Sequence, residues 1–455
     1  MTSKKYDYLI IGGGIGGLYT AYKIKQKQSH FSVCIVEKEN RLGGRIFDVN
    51  HQGKDNFVAI GGRRINSRHT DVLELSKELG IELQEESSNI EELYINNGLV
   101  SKNPNEFLEK YELKSTVKNA RDFLYQSLVS SEKRQNIKSY DNFKSYAIDV
   151  IGKKSFDFLR DTSRFKSDFD YDLNPKSYLD YLDEAVHDTF FPGKTYYAKG
   201  GLSSFIRKLN EKLINLGVDI YTDTSCLSID KDEFFKTNTD KGIILSEKVI
   251  LALPPHALNK LQGNVVDEMK NDERFKALLP IPVLVINQWY EKPFWKDFKV
   301  ENDNQIWRII TDKNRLNHIE IPQEEYVTSQ QNVIRVSYND NIEHIKFFKE
   351  LVNKKDGSLE AEVEKNLKLI FENETLKCPI KVPKALRTEF KIWDDAWYFI
   401  RSGNSISNND ILNFALNPID DSNVSLISEA YNLNRLGWSS GAIQMANHYL
   451  EKKCH

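Results

Sequence analysis

The stretch "DYLIIGGGIGGLYTAYKI", Asp7–Ile24, decides the fold of this chain. A short apolar run over Tyr6–Ile11 predicts a strand. The glycine-rich turn Gly12–Gly17 follows it, and the apolar residues after the turn recur at helical spacing. A further apolar run over Phe31–Glu39 predicts a second strand. Strand, turn, helix and strand in this order predict a βαβ unit.

The glycines of this turn have the spacing Gly12-x-Gly14-x-x-Gly17, which is typical of dinucleotide-binding proteins. The first glycine allows a tight turn, the second lets the backbone approach a pyrophosphate, and the third packs the helix on the strand. The N-terminus of the helix offers free N–H groups to the phosphates. Glu37 ends the second predicted strand, where a carboxylate can hold a ribose. The alternative is an ordinary glycine turn in an α/β fold.

Composition limits the classes of protein to consider. The 455 residues are enough for two or three domains. The 63 basic and 66 acidic residues nearly balance, which gives no general attraction to nucleic acid or anionic membranes. The N-terminus lacks the pattern of a secretory signal, no run reaches the ~18 apolar residues that span a bilayer, and the cysteines lack metal-binding spacing. We therefore expect a soluble cytoplasmic protein with reduced thiols and no metal.

The middle of the chain differs in pattern from its ends. Lysine, aspartate and aromatic residues at helical spacing predict a helical insertion over about residues 103–188. Strands and turns are expected from Ile281 to about Glu389, and the C-terminal segment predicts a strand, a loop and a closing helix. Because no low-complexity linker separates these parts, we expect one body built from discontinuous segments.

Further motifs follow the opening stretch in a fixed order. They are "VEKENRLGGRIF", "IGGRRI", "YAKGGLSSFIRKL", "VILALPPHAL", "EKPFW" and "GWSSGAI". Together they resemble the flavin-containing amine oxidase family, which includes monoamine, polyamine and L-amino-acid oxidases, and they are closest to the L-amino-acid oxidase branch. The resemblance implies an α/β fold of two domains. A Rossmann-like FAD-binding domain would comprise 1–65, 196–262 and 415–455, and a substrate domain of mixed β-sheet and helices 66–195 and 263–414.

The resemblance also implies which residues hold FAD. The glycine turn would bind the pyrophosphate, Glu37 the adenosine ribose, Arg45 the phosphates and Glu429 the ribityl–phosphate part. The C-terminal helix would direct its N-terminus at the flavin pyrimidine, where negative charge gathers on reduction. No cysteine lies at the attachment position, so FAD should be noncovalent. The residues expected to contact FAD are Gly12, Gly14, Gly16, Gly17, Glu37, Arg45, Gly61, Gly62, Arg63, Cys226, Glu429, Ser439 and Ala442.

Arg64 bears on the choice of substrate. It falls on the position where, by resemblance, the amino-acid oxidase branch has the arginine that binds the substrate carboxylate. A guanidinium group beside an apolar strand needs an anion, and a carboxylate fits its fork. The alternatives are that Arg64 pairs with an internal aspartate or glutamate, or with FAD itself. Arg63 is expected to be a structural or cofactor contact.

Two other residues are candidates for the substrate site by resemblance. Trp438 would wall the site at the flavin face, the alternative being a core tryptophan. A second aromatic wall is expected about ten residues after Trp393, which leads to Gly403, so it looks absent. His187 would assist deprotonation of a substrate ammonium, the alternative being a surface histidine.

One departure from the family concerns the flavin-side lysine, which should lie ten residues before Trp295 but is replaced by Val285. The resemblance links that lysine to oxygen and to the product imine. The sequence nevertheless predicts oxidation of an L-amino acid to an imino acid, then a 2-oxo acid and ammonia, with O2 reduced to H2O2. The alternatives are an amine or polyamine oxidase, a related dehydrogenase or desaturase, and an FAD-binding protein without turnover. A homodimer is possible.

Overall fold

The computed structural model describes residues 4–50, 57–86, 91–96, 98–114, 117–190, 193–298, 306–321, 332–374, 376 and 379–454. These residues form helices and two large sheets, which confirms the α/β fold class. The strands are β1 Lys5–Ile11, β2 Val33–Val36, β3 Asp48–Asn50, β4 Phe57–Ala59, β5 Ile65–Asn66, β6 Leu83–Glu85, β7 Glu91–Asn96, β8 Leu99–Ser101, β9 Thr195–Ala198, β10 Asp219–Tyr221, β11 Cys226–Lys231, β12 Phe235–Thr239, β13 Gly242–Leu251, β14 Leu278–Trp289, β15 Ile306–Thr311, β16 His318–Glu320, β17 Val333–Asn339, β18 Arg387–Ile400 and β19 Val424–Leu426. The helices are α1 Ile15–Lys27, α2 Thr70–Glu78, α3 Ala120–Ser130, α4 Phe143–Ile151, α5 Lys153–Thr162, α6 Ser167–Asp170, α7 Pro175–Phe190, α8 Ser203–Asn215, α9 Pro255–Leu258, α10 Asn264–Asn271, α11 Glu273–Lys276, α12 Ile342–Lys354, α13 Ser358–Phe371, α14 Asn408–Leu416 and α15 Ser439–Lys453.

The first sheet contains the predicted βαβ unit. Its parallel strands lie in the order β10, β2, β1, β13 and β19, and the hairpin β11–β12 joins β13 in antiparallel pairing. Helix α1 follows β1 directly and packs against α8 and α15. The strands come from the beginning, middle and end of the chain, so three distant segments meet at the carboxyl edge of this sheet, where ligands bind in such folds.

The first sheet is held by its buried aliphatic residues. Leu9 and Ile10 of β1 are fully buried, as are Leu18 and Ile24 of α1. Each such side chain contributes about 1.5–3 kcal/mol when it leaves water. The helical spacing of the apolar residues therefore fixes which face of α1 lies on the sheet, and this in turn directs the helix N-terminus at the glycine turn.

The second sheet has the strand order β18, β14, β17, β16, β15, β7 and β8 among the described residues. Its long central strand β14 alternates between two faces. Leu284 and Ile286 pack in a hydrophobic cluster with residues of α12 and α13, whereas Val283 and Val285 belong to the core that is shared with the first sheet. The face that carries Val283 and Val285, called here the inner face, is therefore the one turned toward the first sheet.

Helices α3–α7 lie within the segment where a helical insertion was expected. The expectation of strands and turns from Ile281 to Glu389 is only partly right, because α12 and α13 lie between β17 and β18. Their apolar residues, Ile345, Phe348, Val363 and Leu367, have helical spacing and cover the outer side of the second sheet. The two helices were not predicted because the many lysines of this segment are typical of a solvent-exposed surface. The division into two domains stays a prediction.

A small three-stranded sheet, β5–β9–β6, joins the segment after Arg64 to the strand that carries Tyr197. Pairing of Ile65 with Tyr196 brings the neighbouring Arg64 and Tyr197 side chains together. In the part of the chain that the structure describes, no helix has both the length and the apolar character needed to cross a bilayer.

Candidate active site

The three glycines of the turn after β1 have the environments that their predicted roles require. Gly12 has a φ of +111°, and a Cβ atom there would collide with the carbonyl oxygen of Ala252. A Cβ atom on Gly17 would collide with the carbonyl oxygen of Gly12, so this glycine allows helix and strand to touch. Gly14 has no atom within 4 Å of the Cβ position. The turn thus leaves open space at the glycine where the backbone must approach a pyrophosphate, and FAD fits this cradle.

Glu37 lies at the carboxyl end of β2, next to the same turn. Its Oε2 accepts a hydrogen bond from Gly13 N at 2.8 Å, and its Oε1 accepts one from Glu39 N at 2.8 Å. Thr224 N donates to the Glu37 carbonyl, which places the start of β11 at Cys226 nearby. Burial raises the pKa of the Cys226 thiol to about 12, so the thiol is neutral at physiological pH. These positions agree with ribose and adenine binding, which remain predictions.

Arg45 forms an ion pair with the buried Glu429. Arg45 Nη1 lies 2.9 Å from Glu429 Oε1 and also donates to the carbonyls of Asp395 and Ala396. Burial raises the pKa of Glu429 against the opposing effect of Arg45. Glu429 Oε2 is buried without a hydrogen-bond partner among the described residues. An unpaired buried carboxylate oxygen is costly, so it is suited to accept a hydroxyl of the cofactor. Contact of Arg45 with the phosphates stays a prediction.

Gly61 and Gly62 lie where the chain crosses the Arg45 backbone. A Cβ atom on Gly61 would collide with the Arg45 carbonyl, and Gly62 N donates to that carbonyl at 2.9 Å. Trp393 Nε1 donates to the carbonyl of Ile60 at 2.9 Å, which ties β18 to this segment. The close approach of the Arg45 carbonyl by itself requires a glycine at position 61. Contact of Gly61 and Gly62 with the flavin stays a prediction.

The C-terminal helix α15 packs against α1 near the turn. A Cβ atom on Gly16 would lie 3.4 Å from Ala442 Cβ, so these two residues pack helix on helix. Ser439 is the first residue of α15, and no side chain caps its N-terminus. Ser440 Oγ donates to both carboxylate oxygens of Asp71, at 2.8 and 2.9 Å. The uncapped N–H groups and the dipole of α15 therefore remain available to an anion.

Arg64 contacts two protein carboxylates. Its Nη1 lies 3.3 Å from Glu320 Oε1, its Nη2 lies 3.4 Å from Glu86 Oε1, and its Nε donates to the Tyr197 hydroxyl at 2.9 Å. The Tyr197 hydroxyl in turn donates to Glu86. The predicted alternative of an internal acid is therefore realised. The Arg64 side chain nevertheless keeps 19% of its surface exposed, and substrate binding by Arg64 stays a prediction.

Arg63 belongs to a larger cluster of ion-paired side chains that was not predicted from the sequence. On the inner face of the second sheet, strand pairing places Arg335, Glu320, Arg308 and Glu92 in a row on β17, β16, β15 and β7. Arg335 Nη1 lies 2.9 Å from Glu320 Oε2, and Arg308 Nη1 lies 2.5 Å from Glu92 Oε1. Arg63 Nη2 approaches the same Glu320 oxygen at 3.2 Å. Only the register of four strands reveals this row, so no signal in the sequence could have found it.

Arginines outnumber carboxylates in this cluster, and the pKa values reflect it. Burial alone would raise the pKa of Glu320, but Arg63, Arg64, Arg335 and Arg308 hold it well below its usual value. Burial lowers the pKa of Arg308 and of Arg335 to about 10, and neighbouring guanidinium groups add to the effect. The inner face is therefore a region of excess positive charge.

Trp438 directly precedes α15 and is half-buried. Its ring packs edge-to-face on His69, with 4.6 Å between ring centroids. His69 Nδ1 accepts a hydrogen bond from Asn66 N, so the tautomer of neutral His69 carries its proton on Nε2. The segment after Arg64 thus positions Trp438 as well.

A second tryptophan, Trp397, lies near the glycine that precedes Trp438. Trp397 packs against Gly437, with its Cβ 3.9 Å from the Cβ position of that glycine. Phe165 of the helical insertion lies against Trp397, with 5.7 Å between ring centroids. Trp397 lies four positions after Trp393, at a register shift where Ile281 and Val283 of β14 pair with Trp397 and Trp393 of β18. The expected absence of a second aromatic wall stays a prediction.

The last two predicted features have different outcomes. His187 lies in α7, and its side chain is outside the described part of the structure. Val285 is buried on the inner face and pairs directly with Lys391 of β18 on one side and Tyr338 of β17 on the other. Directly opposed residues of antiparallel strands share a face. Lys391 makes no ion pair with a described residue, and its Nζ lies 5.1 Å from the Trp393 ring centroid. A lysine is thus present on the neighbouring strand.

A glycine turn of this kind between a parallel strand and a helix is typical of the class of dinucleotide-binding proteins. The sequence profile of the family described as flavin containing amine oxidoreductase matches residues 15–430. The chain belongs to that family, and FAD is its cofactor. The family was correctly predicted from the ordered motifs.

Curated relatives agree with this assignment, and solved structures share the fold. Flavin-containing amine oxidase A of Equus caballus is 35% identical over 82 residues, which are 18% of this chain and 15% of that protein. Flavin-containing amine oxidase B of Bos taurus is 36% identical over 80 residues, with the same shares. The chain thus spans about 15% of the length of these curated relatives. The fold is similar to cyclohexylamine oxidase from Brevibacterium oxydans (TM-score 0.72, 14% identity, 99% and 100% of the two chains covered). It is also similar to wild-type putrescine oxidase bound to putrescine (TM-score 0.69, 14% identity, 100% of both chains).

Proposed function

We propose that the protein oxidises the CH–NH2 group of an L-amino acid. Bound FAD supplies the acceptor for the hydride that leaves Cα. The amino acid, O2 and water yield a 2-oxo acid, ammonia and H2O2. The observation that carries the proposal is the position of Arg63 and Arg64, which follow Gly61 and Gly62 directly and keep 21% and 19% of their side chains exposed.

The charges on the inner face favour a substrate with an anionic group. Glu320 is the acid at the centre of the cluster, and four arginines already surround it. It is therefore a poor partner for the ammonium of a diamine. In a region of low dielectric, the surplus guanidinium groups attract a carboxylate and repel a second cation.

Each residue would then have a defined task. Arg63 and Arg64 hold the α-carboxylate through their exposed edges, while their buried edges are fixed by Glu320, Glu86 and Tyr197. Trp438 and Trp397 orient the substrate and exclude water from it. A neutral amine is required before the hydride can leave, and His187 remains the proposed group for accepting that proton.

The alternative is oxidation of an uncharged amine or a polyamine. The observation in its favour is that Glu320, Glu86 and Tyr197 already occupy Arg64. In that case the arginine cluster would be structural, and the aromatic residues would select an apolar amine. Because Val285 replaces the family lysine, two further alternatives are a dehydrogenase or desaturase that uses oxygen inefficiently and a protein without turnover.

Anaerobic mixing of the flavin-loaded protein with L-amino acids and with amines distinguishes these possibilities. Each amino acid is matched with the amine that lacks only its carboxylate, for example L-norvaline with n-butylamine. We expect bleaching of the flavin absorbance by amino acids alone. Bleaching by the amines alone would overturn the proposal, and bleaching by neither would favour the remaining alternatives.

A further inference from the structure

The charge cluster on the inner face contains more positive charge than one substrate carboxylate would balance. Ion-pair contacts of 4.0 Å or less join the arginines Arg63, Arg64, Arg164, Arg308 and Arg335 to the glutamates Glu86, Glu92 and Glu320. Five guanidinium groups thus share three carboxylates. Arg121 faces the same Glu92 through the Tyr94 hydroxyl, to which it donates at 2.8 Å. Counted over these ion-pair contacts between described residues, the surplus is two positive charges, which a dianion would balance.

Unpartnered nitrogen atoms gather in the same place. The buried nitrogens without a hydrogen-bond partner among the described residues include Arg63 Nε, Arg64 Nη2, Arg308 Nε, Arg335 Nε, Trp307 Nε1 and His318 Nδ1. Arg64 packs over the Trp307 ring, at 5.6 Å from its centroid, and His318 stacks on Tyr338 at 5.1 Å. Buried donors are rarely left unpaired, because an unpaired donor has lost its hydrogen bonds to water without replacement. Four of these nitrogens belong to arginines, which an acceptor of negative charge would satisfy, although the buried acceptors Asp48 Oδ1 and Asn287 Oδ1 also lack a partner among the described residues.

The cluster has a shallow end and a deep end. Arg63 and Arg64 remain about one-fifth exposed, at 21% and 19%, whereas Arg308 and Arg335 keep only 5% each. Glu320 lies between the two ends and contacts all four arginines. The cluster therefore contains two pairs of arginines at different depths, joined by one carboxylate.

We propose that Arg308 and Arg335 form a second anion subsite, which binds the side-chain carboxylate of an acidic amino acid whose α-carboxylate is held by Arg63 and Arg64. The proposal rests on the proposed function and names its substrate class, an L-amino acid with a carboxylate side chain. Arginine forks and carboxylates form strong, often bidentate pairs in buried sites. The second carboxylate supplies the acceptor that the orphaned Nε atoms lack.

Binding can be measured without turnover. The oxidised, flavin-loaded protein is titrated with glutarate, a dianion, and with butyrate, a monoanion of similar length, and the change in the flavin spectrum is followed. We expect glutarate to bind at least about tenfold more tightly than butyrate, with this difference shrinking at high salt. Equal dissociation constants for the two acids would overturn the second subsite.

Variants locate the subsite. Arg308→Gln should abolish the preference for glutarate and leave butyrate binding unchanged, while Arg308→Lys, which keeps the charge, should retain part of it. The matched control is Arg315→Gln, which removes an arginine that pairs with Glu362 at 3.1 Å outside the cluster. FAD content and thermal unfolding show whether each variant is folded. If folded Arg308→Gln prefers glutarate as the wild type does, the subsite is wrongly placed.

A kinetic comparison separates this inference from the proposed function. If L-glutamate or L-aspartate reduces the flavin at least about tenfold more efficiently than L-norvaline, both stand. If L-norvaline reduces it equally well, the second subsite is refuted and amino-acid oxidation stands. If no amino acid reduces the flavin but glutarate still binds more tightly than butyrate, the subsite stands and the proposed function fails.

Discussion

Arg64 Nη1 lies 3.3 Å from Glu320 Oε1, and this ion pair joins the segment after Gly62 to the centre of the second sheet. The same carboxylate holds Arg63, Arg335 and Arg308. Arg64 is therefore oriented by Glu320 of the second sheet as well as by Glu86 and Tyr197 at the small three-stranded sheet. A change at Glu320 must alter the arginine that was predicted to bind the substrate.

Replacement of Arg64 by lysine tests its role in substrate binding. Lysine keeps the charge but lacks the planar fork, so the apparent KM for the amino acid should rise about tenfold while kcat changes much less. Arg315→Lys is the control, and FAD content should be normal in both. An unchanged KM in Arg64→Lys would show that Arg64 serves only the internal acids.

Neutralising Glu320 should destabilise the fold strongly. Glu320→Gln leaves several buried guanidinium groups without their shared counter-charge, and loss of one partner of a buried ion pair costs about 3–5 kcal/mol. Urea unfolding of the flavin-loaded protein measures the change. Glu362→Gln, which affects the ion pair with the partly exposed Arg315, should cost less than about 1 kcal/mol. Similar losses in the two variants would mean that the cluster does not depend on Glu320.

The two glycines of the turn should respond differently to alanine. Gly14 has φ −74° and open space at its Cβ position, so Gly14→Ala should leave the fold as stable as before and lower FAD binding by at least about tenfold. Gly17→Ala forces a Cβ atom into the Gly12 carbonyl and should cost about 1–3 kcal/mol of stability. Flavin absorbance and thermal unfolding separate the outcomes. Full FAD content in Gly14→Ala would contradict a pyrophosphate at this glycine.

His69 should make the stability depend on pH. Burial lowers the pKa of His69 from 6.5 to about 3, and Arg435 and Arg68 add to the effect. Below pH 6.5, His69 binds a proton in the unfolded chain but not in the native protein. The free energy of unfolding therefore falls as the pH falls from 6.5 toward 3. The contribution of this residue approaches ~1.4 kcal/mol per pH unit.

Urea unfolding at several pH values measures the contribution of His69. In His69→Asn, the slope of the unfolding free energy against pH between 6 and 4 should be smaller by about 1.4 kcal/mol per pH unit. The exposed His30 offers the matched control His30→Asn, which should keep the wild-type slope. An unaltered slope in His69→Asn would mean that His69 is protonated in the native protein.

Lys391 should affect the reaction with oxygen. Because it lies directly opposite Val285 on the inner face, we expect it to supply the charge of the missing family lysine. Lys391→Met should slow reoxidation of the reduced flavin by O2 about tenfold, and anaerobic reduction should change by less than about twofold. Stopped-flow absorbance measures both steps, with the exposed Lys384→Met as control. Normal reoxidation in Lys391→Met would exclude this role.

The fold around the proposed FAD site could be predicted because its signals are local. The glycine turn, Glu37 and the start of α15 each lie within one strand–turn–helix segment, where spacing dictates geometry. Trp397 and Lys391 were missed for the opposite reason. Their positions depend on the register of β18 with β14, which shifts between Ile281 and Val283, and strand register is not encoded in the spacing of either strand alone.

The sequence by itself determined that the chain binds FAD and belongs to the amine oxidoreductase family, because steric limits on three glycines and the order of short motifs can be judged residue by residue. Only the tertiary structure decided what Arg64 contacts. Glu86 and Glu320 lie far from it along the chain and reach it through strand pairing in two different sheets. A guanidinium group pairs with the carboxylates that the tertiary fold places within a few ångströms of it. The spacing of residues along the chain therefore does not identify its partner.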